Sequence, residues 1–74
     1  MIIAHISDTH ILPKGDPAPQ AAIRVDALRR CVADIARLDP DLVIHTGDAT
    51  QHGQREEYTH LKEILSDVTA PVYL

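Results

Sequence analysis

Two short apolar runs, residues 2–7 and 42–46, each stop at a polar turn, and a helix-period stretch fills the chain between them. Apolar, β-branched runs of this length read as buried parallel strands. Residues 11–19, ILPKGDPAP, hold three prolines and a glycine and read as a loop. Ala21, Val25, Leu28, Val32 and Ile35 then recur every three or four residues. That spacing predicts an amphipathic helix over 20–38, with Asp26–Arg30 and Arg30–Asp34 as i,i+4 pairs on its wet face. Asp39-Pro40 ends it, because the residue before proline is pushed out of the α region. After the second strand, Gly47 is expected to make the sharp turn and Gly53 to close the loop. A second helix is predicted over 54–67, with Tyr58, Leu61, Leu65 and Val68 inward and Glu56 and Glu57 in the first turn. Pro71 opens a third apolar run, 72–74. The fold class is therefore α/β: a β-α-β-α-β unit with a parallel sheet and right-handed crossovers.

That topology decides where chemistry can sit. Asp8 and His10 directly follow the first strand, and Gly47-Asp48 directly follows the second. Open α/β sheets bind ligands at the carboxyl ends of their strands. Two carboxylates and one imidazole suit a borderline first-row cation such as Mn, Fe, Co or Zn. If the segment stays extended, the i, i+2 spacing points Asp8 and His10 the same way. The other histidines read differently. His5 and His45 lie inside apolar strands and are expected to be hydrogen-bonded core residues. His52 is expected to be a solvated loop residue, His60 a surface residue and Tyr58 a core contact. Cys31 falls near the helix stripe and is expected to be a buried or half-buried thiol.

Seventy-four residues make at most one small domain, without a disulfide, since Cys31 is the single cysteine. A chain this short buries only about 60% of its unfolded surface, so its stability is expected to be marginal. The net charge is −4 and the basic residues are scattered, which argues against a nucleic-acid surface or an anionic membrane. No run approaches the ~18 apolar residues of a membrane span. The first strand begins at once, so a cytoplasmic location is expected. Neither a phosphate-binding Gly-x-x-x-x-Gly-Lys-Ser/Thr loop nor a Gly-x-Gly-x-x-Gly fingerprint is present.

The segments IIAHISDTH, LVIHTGDATQHG, EEY at 56–58 and the closing APVYL resemble calcineurin-like metallophosphoesterases. The likeness is to bacterial cyclic-nucleotide and glycerophosphodiester phosphodiesterases, and it runs the whole chain. It implies the N-terminal portion of an α/β/β/α sandwich, with residues 1–74 a single partial domain. The next family block, Gly-Asn-His-Asp/Glu, is expected just beyond Leu74. Gln51 stands where these enzymes usually carry Asp or Asn, a position that is not a metal ligand in the family. The resemblance implies two metal ions in the complete domain, Asp8 and His10 on the first and Asp48 bridging both. It implies a small phosphodiester substrate, hydrolysed by hydroxide generated between the ions. The isolated chain is expected to be inactive and to pair with copies of itself or with the remainder of the domain. Two other readings stand beside this one. They are a non-catalytic acidic pocket that holds one divalent ion, and a structural, self-associating fragment.

Overall fold

The computed structural model describes residues 1–74 as β1 (Ile3–Ile6), α1 (Pro19–Leu38), β2 (Leu42–His45), α2 (Arg55–Leu65) and β3 (Val72–Tyr73). All three strands are parallel, in the order β1-β2-β3. Ile3 pairs with Leu42 and Ile6 with His45, so the two strands end level. The α/β expectation and the element order therefore hold, with each boundary within a residue or two of the sequence reading.

Both helices cover one face of the sheet. Leu28 and Val32 of α1 meet Leu61, Ile64 and Leu65 of α2 over Ile11, with Ile6, Val25, Val68 and Val72 packed around them. The helix start is set by Pro19 at its first position and by Asp16, whose Oδ1 accepts the Ala18 N–H at 2.9 Å. Asp39 ends α1 in the left-handed conformation, its N–H donating to the Ile35 carbonyl. The other sheet face is open: Ile3 and Tyr73 are each half exposed or more, and His5 is exposed.

Several side chains of the strands and helices depart from the sequence reading. Cys31 is exposed, because it lies about 80° round the helix from the centre of the buried stripe. The expected Arg30 pairs do not form. Arg30 Nε instead donates to the Asp26 carbonyl at 3.4 Å, and Asp34 pairs with Arg37. Tyr58 is exposed, and Glu57 takes the inward position beside Leu61 and Ile64. His5 makes the expected hydrogen bond, to Thr46 Oγ1 at 2.7 Å, but on the open face rather than in the core.

Candidate metal centre

Beyond the strand ends the two loops continue side by side, stitched by their backbones. The N–H groups of Asp8, His10 and Ile11 donate to the carbonyls of Gly47, Asp48 and Ala49 at 2.9, 2.9 and 3.1 Å. The Gln51 N–H returns a bond to the Ile11 carbonyl, and Ile11 and Thr50 form a parallel bridge. Asp8, His10 and Asp48 all take left-handed backbone, with φ of 57°, 46° and 50°. Asp and His are among the few side chains that enter this region readily. The extended-segment argument for Asp8 and His10 is therefore corrected: left-handed turns, not strand alternation, bring them together. Gly47 is corrected too, because the positive φ falls on Asp48 instead.

The three side chains converge. One ligand atom from each of Asp8, His10 and Asp48 lies within 4.8 Å of the other two. His10 Nε2 is 3.9 Å from Asp8 Oδ1. Metal–ligand bonds of about 2.0–2.2 Å put two ligands of a tetrahedral ion roughly 3.3–3.6 Å apart, so a gap of up to 4.8 Å closes with a shift of about 1.5 Å or less. Neither carboxylate pairs with a lysine or arginine. The donor set and its spacing thus fit a first-row divalent cation. The Ser7 hydroxyl, followed by the Asp48 carboxyl, holds the Asp8 carboxyl below the ordinary carboxylate range, with His10 and His45 adding to the effect.

Around the cluster lie groups that position it. Thr9 Oγ1 bonds both the Ala49 carbonyl, at 2.8 Å, and His45 Nε2, at 2.9 Å. His45 is buried, as expected, and burial first, with the charge of His5, pulls its pKa below the usual value against the opposing pull of Asp8. Arg24 of α1 reaches across to the His10 carbonyl at 3.3 Å and to Gln51 Oε1 at 2.8 Å. No sequence pattern marks Arg24, since its partners lie 14 and 27 residues away. His52 is not simply a solvated residue, for its Nδ1 bonds the buried Glu57 at 3.0 Å. His60 is half-buried, and its Nδ1 donates to the Leu12 carbonyl at 2.8 Å, tying α2 to the loop after the cluster.

A parallel α/β sheet with a convergent Asp-His-Asp set at the carboxyl ends of its strands gives the class: an α/β protein with a candidate metal-binding group at the edge where such sheets bind ligands. The family follows from comparison. Residues 1–74 match the model of the calcineurin-like phosphoesterases, and the chain belongs to that family. Among curated relatives, the chain is 42% identical over 76 residues to a probable glycerophosphodiester phosphodiesterase GpdQ of Arcobacter nitrofigilis. That alignment covers 100% of this chain and 28% of the relative. A probable cyclic nucleotide phosphodiesterase of Rhodococcus erythropolis is 38% identical, over 95% of this chain and 24% of its own. The 3′,5′-cyclic adenosine monophosphate phosphodiesterase CpdA of Pseudomonas aeruginosa is 26% identical, over 97% and 27%. The chain thus spans about a quarter of the length of the curated relatives it matches. No helix is long and apolar enough to cross a membrane.

Proposed function

We propose that the complete protein hydrolyses a small phosphodiester, a cyclic nucleotide or a glycerophosphodiester, with two metal ions. Residues 1–74 form one partial domain of it and contribute half of the centre. Asp8 and His10 hold the first ion, and Asp48 stands between the two. Bound ions of this kind acidify water and neutralise phosphate charge. The chain's own part would be to aim Asp8, His10 Nε2 and Asp48 at one point. The observation that carries this reading is the convergence of these three ligand atoms at the carboxyl ends of β1 and β2. The names of the relatives support the substrate class. Mn, Fe, Co or Zn suits the donor set. A cytoplasmic location goes with this reading. The open sheet face is covered by the remainder of the domain or by a second copy.

Three ligands from this chain supply one ion only, so residues 1–74 alone turn over no diester. The test is hydrolysis of bis(p-nitrophenyl) phosphate, cyclic AMP and glycerophosphodiesters by the complete protein with Mn(II). Asp48→Ala should remove activity together with about one equivalent of tightly bound Mn. If activity survives Asp48→Ala, the assignment of the bridge fails. A complete protein that binds one ion and hydrolyses nothing would instead favour the non-catalytic pocket.

A further inference from the structure

We propose that His45 is a positioning residue for the metal centre. As the neutral Nε2–H tautomer, it locks the Asp8–His10 segment onto the loop that carries Asp48. The inference rests on the metal role proposed for Asp8, His10 and Asp48.

The proton inventory fixes the tautomer. The Thr9 hydroxyl has a single proton, and the Ala49 carbonyl, 2.8 Å away, can only accept it. His45 Nε2, 2.9 Å from the same oxygen, must therefore donate. In a neutral imidazole that leaves Nδ1 bare, and the Gly47 N–H points at it from 3.4 Å. One buried ring thus connects the residue between Asp8 and His10 with the residue before Asp48. Through the Thr9 hydroxyl it also reaches the residue after Asp48. The ring touches none of the three ligand side chains by hydrogen bond; it acts on the backbone that aims them. That backbone is the left-handed stretch at Asp8, His10 and Asp48. Such conformations persist only where their surroundings over-determine them.

The test uses the complete protein with 15N-labelled histidine. The expected spectrum assigns His45 the Nε2–H tautomer; an Nδ1–H ring in the wild type overturns the proposal without any variant. Mn(II) affinity is then read by electron paramagnetic resonance, with folding checked by circular dichroism. Thr9→Val, which keeps the shape and removes the hydroxyl, should weaken Mn(II) binding at least about tenfold, the scale seen when outer-shell partners are lost. Thr9→Ser should restore affinity to within about threefold of wild type, a recovery that packing alone would not give. Wild-type affinity in folded Thr9→Val, or no recovery in Thr9→Ser, overturns the proposal. A wild-type protein that binds no Mn(II) overturns the metal assignment on which it rests, a separate result.

Discussion

Three non-glycine residues in left-handed backbone within one small cluster mark where local preference has been given up for geometry. For most L-residues the left-handed region costs about 1–2 kcal/mol; Asp and His enter it more readily than most, and Gly at no steric cost. In this backbone the side chains of Asp8, His10 and Asp48 converge, with one ligand atom of each within 4.8 Å of the others. The residue types were legible in the sequence, since an Asp-x-His and a Gly-Asp after two strands stand out. The reason they converge was not, because a left-handed φ at Asp or His leaves no compositional mark beside a Gly47 that looks like the turn. The strain gives a prediction. Asp48→Gly should be more stable than Asp48→Ala by about 1 kcal/mol, since both lose the carboxylate but only Gly relaxes the backbone. Both variants should lose the same share of bound Mn(II). Urea unfolding of the two metal-free proteins checks this; equal stabilities would mean that position 48 carries no backbone strain.

At the scale of elements, α2 shows what periodicity sees and misses. Its leucines are legible at their spacing, yet the same period points Tyr58 inward where the structure buries Glu57. Hydrophobicity counts side chains singly. It cannot register that Glu57 sits where its carboxylate accepts the N–H groups of Gln54, at 3.1 Å, and His52, at 2.8 Å, and meets the His52 ring. Burial by itself would raise the Glu57 pKa, but these bonds from Gln54 and His52 outweigh it and pull the group below its ordinary value. The folded state therefore binds fewer protons than the unfolded chain near that value, and stability rises with pH there. Its contribution is complete above the ordinary pKa of 4.5 and is lost as pH falls through the lower folded value. Glu57→Gln should cost about 1–3 kcal/mol at pH 7, because the amide group cannot accept all three bonds. The gap between variant and wild type should narrow as the pH falls below about 4.5. Chemical denaturation at pH 7 and at pH 3.5 measures it, and an unchanged gap at the lower pH would contradict the assignment.

Over the whole molecule, the one-sided sheet outweighs any single contact. Only 14 of 74 residues are buried, so the core formed by Ile11, α1 and α2 is small for holding the loops in place. The order of elements was legible because strand and helix periods alternate cleanly along the chain. The loop stitching was not, since Thr9, His45 and Arg24 find partners far away in sequence, through polar bonds that no period records. On the open face, Ile3, Leu42, Ile44 and Tyr73 form a patch around His5. Parallel sheets are normally covered on both faces, and a bare apolar patch draws another surface onto itself. Residues 1–74 prepared alone should therefore bind a hydrophobic dye and associate at micromolar concentration in sedimentation experiments. Ile3→Lys with Tyr73→Lys should disperse the assembly, since two lysines on this face repel their counterparts on a second copy. The helix-side core touches neither residue, so circular dichroism should retain its helical signal in the double variant. A wild-type chain that sediments as a monomer and binds no dye would mean that the open face is already satisfied, and that the small core on the helix side suffices to hold the loops after β1 and β2.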